Sequence, residues 1–220
     1  MFDKDVLKHI LAMLGGARKA AVLGDIRLYE CPISYVTEET AEILQAVFLV
    51  TETHIPFFPG GWADQAHWLQ EAVARLRAGA TERDLYLLVS QVARRVGKAP
   101  LALANDELAA AVGSRQDWDP RDWTTDNAAR VLLLLASTQD GAELSRRLDR
   151  LCAAADIDEL VAFYRGLPLY PDPPRHALRA AEGVRSNMRV VFEAVAHRNP
   201  YPAEHFDEQA WNQMVLKALF

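Results

Sequence analysis

Residues 175–220 read RHALRAAEGVRSNMRVVFEAVAHRNPYPAEHFDEQAWNQMVLKALF, and this stretch decides the fold. Its apolar residues recur at helical spacing from Ala177 to Ala196, on one continuous stripe at about 100° per residue. The stripe predicts a single long helix over 175–197. The next segment, Asn-Pro-Tyr-Pro at 199–202, predicts a rigid elbow because each proline fixes φ and keeps the preceding residue extended. A last helix follows, with Trp211 on its core face.

Helix start and stop signals recur along the rest of the chain. Thr81 and Asp84 have the spacing of a capping box, and Gly97 is a suitable residue to end that helix. Only residues 26–36 (IRLYECPISYV) favour an extended arm or an edge strand. Other helices are predicted over 4–14, 37–50, 63–78, 81–96, 105–112, 142–154 and 158–165, and after Thr124 or Thr125.

The fold class is therefore all-α, with about nine helices joined mostly by short loops. An irregular multi-helix bundle and a solenoid-like stack of antiparallel helices both fit, since no fixed repeat period is visible. A change in composition near Gly60 and Gly61 predicts an N-terminal module over 1–62 and a helical domain over 63–220. The last helix reaches Phe220 without a capping signal, so we expect that the natural chain continues or that this end docks on a partner.

Composition and charge exclude several classes of function. The net charge is −6 and the pI is near 5.5, so no basic field attracts nucleic acid. Cys31 and Cys152 are far apart and fit two thiols in a reducing compartment. The densest apolar run, 131–136, is far shorter than the roughly 20 residues of a membrane span. We therefore expect a cytoplasmic protein without an integral membrane segment.

A cluster of charged residues on the predicted long helix is the first candidate site. Arg185 falls within the apolar stripe, with Glu182 one turn before it and Arg189 and Glu193 along the same border. A guanidinium there must be paired, because an isolated buried charge is costly. One interpretation is a structural network of salt bridges. The other is a pocket for an anion or a carboxylate, with arginines held in position by glutamates.

Other candidate chemistry is weaker. Arg95 and Lys98 lie near Gly97 at a helix end, where cations are favoured by the helix dipole alone. Glu193 and His197 share a helix face but have no third ligand nearby, so no metal site and no cofactor are predicted. The sequence contains no nucleophile, P-loop, zinc or dinucleotide motif. It therefore offers no positive evidence for catalysis.

Four segments carry a family resemblance: WLQEAVARLRAG, RDLYLLVSQVARRVGKAPLAL, WDPRDWTTDNAARVLLLLAS and the stretch from residue 180 to the end. From about residue 66 onward the chain resembles the EboA family, encoded in bacterial ebo gene clusters, whereas residues 1–65 do not match it. The most specific motif is EGVRSNM followed by NPYP and AWNQMVLKA. The matching residues are Arg95, Gly97, Lys98, Glu182, Arg185, Asn187, Asn199, Tyr201, Trp211, Asn212 and Gln213.

The resemblance implies a protein of a secondary-metabolite cluster that takes part in making or moving a small metabolite, with no catalytic residues to transfer. We predict a non-catalytic helical protein that binds a small anionic or polyol metabolite, or a partner enzyme of its cluster. A purely structural scaffold is the main alternative, and an enzyme of unrecognised type is a further one. The predicted ligand-binding residues are Glu182, Arg185, Asn187, Arg189, Arg95 and Lys98. Structural or interaction roles are predicted for Asn199, Tyr201, Trp211, Asn212 and Gln213.

Overall fold

A computed structural model of the chain describes residues 62–101, 103, 105, 108–109 and 117–219. Its regular elements in these ranges are α-helices and two short 3₁₀ helices, and a single isolated β-bridge joins Pro100 to Thr124. The prediction of an all-α fold is confirmed. The predicted N-terminal helices and the extended segment 26–36 lie outside the described residues, and the domain boundary stays a prediction.

Nine α-helices can be followed through the described residues. They are α1 (Trp62–Arg77), α2 (Glu82–Arg95), α3 (Thr125–Ala136), α4 (Gly141–Ala154), α5 (Ile157–Arg165), α6 (Ala177–Arg185), α7 (Arg189–Ala196), α8 (Tyr201–His205) and α9 (Glu208–Leu219). The 3₁₀ helices Leu167–Leu169 and Pro173–His176 connect α5 to α6. None of the helices in these ranges is both long and apolar enough to cross a membrane.

Local capping explains where several helices begin and end. Thr81 accepts a hydrogen bond from the backbone of Asp84, whose side chain in turn accepts one from the Thr81 backbone. This reciprocal arrangement is the predicted capping box at the start of α2. Asp156 caps α5 in the same way, together with Glu159. Gly97 follows α2 with a φ of 82°, a left-handed conformation that glycine adopts without a steric penalty.

Helix α3 is the centre of the core. It contacts α1, α2, α4 and α5, and almost all of its side chains are buried. Leu133 and Leu134 have no exposed surface. Burial of such a side chain contributes roughly 2 kcal/mol. A helix that is apolar all round is expected at this position, which agrees with the VLLLLA sequence.

The second half of the protein extends this core as a succession of packed helices. Helix α5 lies between α3 and α7, α7 packs on α6, and α6 contacts α9. Gly183 allows the close approach of α6, because a Cβ at this position would lie 2.7 Å from atoms of both Tyr164 and Val195. The glycine of the EGVR motif is therefore a packing residue.

The prediction of one long helix over 175–197 is wrong. The helix is interrupted between α6 and α7, where Ser186 is extended and its hydroxyl accepts a hydrogen bond from the backbone N–H of Met188. Such a side-chain contact competes with the helical backbone pattern. The chain therefore changes direction without a proline, and α7 packs on α5 as a separate helix.

The interruption also changes which residues face the core. Arg185, predicted within the apolar stripe, is exposed at the end of α6. Leu178, predicted on the same stripe, is 82% exposed. Trp211, predicted to be a core residue, is 41% exposed, and Met214 is the side chain of α9 that is buried. These three assignments are wrong because α6 buries the face formed by Ala180, Gly183 and Val184, and α9 buries a narrower face than expected.

Candidate functional site

Polar side chains are buried at the N-terminal end of the central helix. The first turns of α3 bury Thr125, Asp126, Asn127 and Arg130. Asp126 and Arg130 form an ion pair in which both side chains are 3% exposed. The Thr125 hydroxyl donates a hydrogen bond to the carbonyl of Gly97, 3.0 Å away. Since buried polar groups require partners, this network fixes the end of α3 against the segment that follows α2.

Arg165, the last residue of α5, reaches this polar end of α3. Its Nη1 donates hydrogen bonds to the Asn127 side-chain oxygen and to the Asp122 carbonyl, both at 2.7 Å. Within the described part of the chain, no carboxylate lies within 4.0 Å of this guanidinium. Burial lowers the pKa of Arg165, although the more distant charges of Asp122, Asp126 and Glu193 oppose the shift. Arg165 therefore carries a partly desolvated charge that neutral oxygens alone hold in place.

The loop before α3 supplies two acidic groups to the same region, Asp119 and Asp122. Arg198 Nη1 lies 2.7 Å from an Asp122 carboxylate oxygen, an ion pair without hydrogen-bond geometry, and its Nε lies 3.5 Å from Asp119. Asp119 also pairs with Arg121 at 2.8 Å. Arg198 has a φ of 54°, in the left-handed region that is unfavourable for residues other than glycine. Such backbone strain is often found at binding sites.

These groups surround a partly enclosed cleft of about 120 Å³. Its lining residues are Asp119, Asp122, Trp123, Arg165, Glu193, Ala194, His197, Arg198 and Asn199. The Glu193 carboxylate accepts a hydrogen bond at 2.7 Å from Arg189, a residue that is not part of the cleft lining. Guanidinium donors and carboxylate acceptors therefore converge on one small space, which suits the binding of a polar molecule. No group of three metal-ligating side chains occurs among the described residues.

The predicted cluster on 175–197 is divided between two helices. Glu182 pairs with Arg179 at 2.6 Å, and Arg179 also binds Asp149 on α4 at 2.9 Å. The Arg185 side chain makes no hydrogen bond or ion pair with another described residue. Arg189 is 88% exposed and pairs with Glu193 on α7. The structure therefore brings Arg189 to the rim of the polar cleft but leaves Glu182 and Arg185 away from its lining.

The remaining predicted ligand-binding residues lie on the surface. Lys98 pairs with Asp158 at the start of α5, and both side chains are about half exposed. Arg95 and Asn187 are exposed, and neither side chain forms a hydrogen bond or ion pair with a residue of the described ranges. None of these three residues lines the charged cleft.

The predicted elbow is tied into the core by Asn199. Its side-chain nitrogen donates to the carbonyls of Tyr164 and Ala194 at 3.0 and 2.9 Å, and its oxygen accepts from the Tyr201 N–H at 3.1 Å. Tyr201 is fully buried and its hydroxyl donates to the Pro173 carbonyl. Asn199 therefore orients the loop that carries Arg198, and it also lines the cleft.

A second, more open groove of about 330 Å³ lies between α8 and α9. Phe206 and Trp211 form its apolar part, and Asp207 and Glu208 its acidic part. Asn212 and Gln213 are exposed on α9. The same helix also exposes Leu216 and Leu219.

Sequence reasoning missed Asp119, Asp122, Asn127, Arg165 and Arg198. They come from three segments that are distant in the sequence, so no local spacing joins them. One signal was visible: the WTTDNAAR segment places Asp126, Asn127 and Arg130 at the start of the most apolar helix, where polar side chains require partners.

The described chain is thus an all-helical protein with a small charged cleft beside the end of its central helix. Residues 62–220 match the family described as "Metabolite traffic protein EboA". The match covers well over half of the chain, and the protein belongs to the EboA family. The predicted resemblance is confirmed, and the N-terminal region is unmatched, as expected. No curated protein and no solved structure shows significant similarity to the chain.

Proposed function

We propose that this protein binds a small polar metabolite in the cleft lined by Arg165, Asp122, Glu193 and Arg198, and that it carries the metabolite rather than transforming it. The observation behind this proposal is the convergence of paired and unpaired charges on one partly enclosed space. The family description, metabolite traffic, agrees with such a role. A cleft of about 120 Å³ has room for a small molecule or for the polar end of a larger one.

Preorganisation supports binding at this position. Arg198 is held by two aspartates, and Arg165 by two oxygens. Side chains that are fixed before the ligand arrives lose little conformational entropy when it binds. The strained backbone of Arg198 is maintained by these contacts together with the anchoring of Asn199.

The site predicted from the sequence stays a second possible position for the same ligand class. It would use Glu182, Arg185 and Asn187 at the end of α6, with Arg95 and Lys98 as more distant candidates. These side chains are largely exposed, so water screens their charges and weakens each interaction. The cleft offers lower exposure and more converging groups, and we prefer it for this reason.

A thermal-shift screen tests the proposal. The purified protein is heated with phosphates, carboxylates, cyclitols and isoprenoid phosphates at several concentrations. A ligand at ten times its Kd stabilises the protein by about 1.4 kcal/mol, which raises Tm by about 3–6 °C for a chain of this size. We expect a dose-dependent rise with at least one compound class.

Two histidine variants locate the binding position. His197→Trp introduces a bulky side chain at the exposed wall of the cleft, and His67→Trp places the same change on the exposed surface of α1. We expect the ligand-induced rise in Tm to disappear in the first variant and to persist in the second. A rise that survives His197→Trp but disappears in Arg185→Ala would move the site to α6. The absence of a rise with every compound would contradict metabolite binding.

A docking surface for a protein partner is the second candidate function. It is favoured by the exposed apolar side chains of α9, including Trp211, Leu216 and Leu219, beside the groove of about 330 Å³. Contiguous exposed apolar surface is typical of interaction sites. Substitution of Trp211 and Leu216 by serine would then abolish partner binding without changing the metabolite-induced rise in Tm.

A further inference from the structure

The hydrogen bonds of Arg165 leave one edge of its guanidinium free. Nη1 has two hydrogens, and both are used, one by the Asp122 carbonyl and one by the Asn127 side chain. Within the described residues, Nε and Nη2 make no hydrogen bond, and neither atom is sealed from solvent. These two atoms form the side-on fork of a guanidinium, whose parallel N–H groups match two oxygens of a carboxylate or a phosphate.

The charges around the cleft are unequally compensated. Asp119 is paired with Arg121 and Arg198, Asp122 with Arg198, and Glu193 with Arg189. Arg165 alone among the charged groups of the lining has only neutral oxygens as close partners in the described chain. A partly desolvated cation is stabilised by an anion much more than a cation in water is. Arg165 is therefore the charged group of the lining that an anionic ligand would pair with most directly.

Two carboxylates of the lining limit what else the ligand can carry. Asp122 and Glu193 each retain carboxylate lone pairs that can accept hydrogen bonds from hydroxyl groups. A second anionic group would instead meet these carboxylates and be repelled. The cleft of about 120 Å³ is smaller than the roughly 300–1,000 Å³ of pockets that take drug-sized ligands, so it suits one oxyanion and a few adjoining atoms.

We infer that the cleft recognises a metabolite through a single oxyanion group, a carboxylate or a phosphate, bound side-on by Nε and Nη2 of Arg165, with neighbouring hydroxyls donating to Asp122 and Glu193. This inference rests on the proposed function and names its ligand class. The Asn127 side chain and the Asp122 carbonyl are positioning groups, since they aim the guanidinium without contacting the ligand. The anion source is left to experiment because carboxylate and phosphate present the same pair of oxygens.

NMR of the arginine side chains tests the inference directly. Protein labelled with ¹⁵N is titrated with inorganic phosphate, glycerate, citrate and myo-inositol at constant ionic strength, and the Nε–H signals are followed. The Arg165 signal is assigned from its absence in Arg165→Lys. We expect saturable movement of this signal with glycerate and phosphate, and weaker binding of citrate, which carries several carboxylates.

Two variants of Arg165 distinguish the contribution of the guanidinium geometry to binding from the contribution of its charge. Arg165→Ala should weaken glycerate or phosphate binding by about tenfold to a hundredfold, the effect expected for lost charge-assisted hydrogen bonds. Arg165→Lys keeps the charge but lacks the fork, and should weaken binding by about tenfold even if the alanine variant fails to fold. Arg94→Ala, an exposed last-turn arginine of α2, is the matched control and should bind as the parent does.

The outcomes distinguish this inference from the proposed function. One combination of results would contradict the ligand class alone: myo-inositol binds, His197→Trp blocks its binding, and the anions leave the Arg165 signal unchanged. Metabolite binding in the cleft would then stand. Equal affinity of Arg165→Lys and the parent for glycerate and phosphate would also overturn the inference. If no compound of the thermal-shift screen binds, both proposals fail.

Discussion

Replacement of Asn199 by alanine should destabilise the protein through the loss of three hydrogen bonds at one residue. The side chain binds the Tyr164 and Ala194 carbonyls and the Tyr201 N–H at 2.9–3.1 Å, and thereby joins α5, α7 and α8. Each such bond contributes about 1 kcal/mol to stability. The expected loss is about 3 kcal/mol, which corresponds to a fall in Tm of about 6–12 °C for a chain of this size.

Urea denaturation followed by far-UV circular dichroism measures this loss. Asn187→Ala is the matched control, because Asn187 is an exposed asparagine in the turn between α6 and α7. A surface substitution of this kind should change the free energy of unfolding by less than about 0.5 kcal/mol. If Asn199→Ala cost no more than the control, the three contacts would not hold the elbow, and the reasoning about how Arg198 is positioned would be refuted.

Two further predictions concern packing and pH. Gly183→Ala should destabilise the protein by about 1–3 kcal/mol despite better helix propensity, because the new Cβ would lie 2.7 Å from Tyr164 and Val195; a urea midpoint equal to the parent's would contradict this. His176 is fully buried, its Nε2 lies 2.8 Å from the Pro171 carbonyl, its Nδ1 has no described partner, and burial lowers its pKa. The unfolded state therefore takes up a proton first, so stability should fall as pH drops below about 6.5 toward the lowered folded pKa. In His176→Gln, Tm should fall less between about pH 7 and pH 5 than it does in the parent. An equal fall in both proteins would mean that another group takes up the proton.

Signals that act over one or two helical turns could be predicted from the sequence. The capping box depends on Thr81 and Asp84, which are three positions apart, and the end of α2 depends on Gly97 alone. Both features are present in the structure. The buried VLLLLA helix follows from its composition. The all-α class followed from the same local patterns, whereas the family resemblance rested chiefly on the sequence motifs of residues 180–220.

The interruption at Ser186 could not be predicted in this way. No proline marks it, Gly183 lies inside α6 as a packing residue, and the apolar stripe continues through the interruption at helical spacing. The interruption is favoured by a side-chain hydrogen bond to Met188 and by the packing of α7 on α5, and the second of these depends on a helix that lies more than 20 residues earlier. Tertiary contacts therefore overrode the local periodicity.

The candidate cleft was hidden for a related reason. Arg165 and Asn127 are 38 residues apart. Arg198 and Asp122 are neighbours only because the segment around Asn199 packs against the loop before α3. Each residue alone fits an ordinary role, as a basic helix end, a helix N-terminus or a turn. Only the assembled fold shows that Arg165 lacks a carboxylate partner among the described residues.

Isothermal titration calorimetry of the strongest compound from the thermal-shift screen tests the central claim most directly. The parent, Arg165→Ala and Arg185→Ala are titrated under the same conditions, with folding verified by circular dichroism. Binding in the cleft predicts one site per chain and at least tenfold weaker binding in Arg165→Ala than in the parent. The opposite result, full affinity in Arg165→Ala and weak binding in Arg185→Ala, would contradict the cleft and place the ligand at the end of α6.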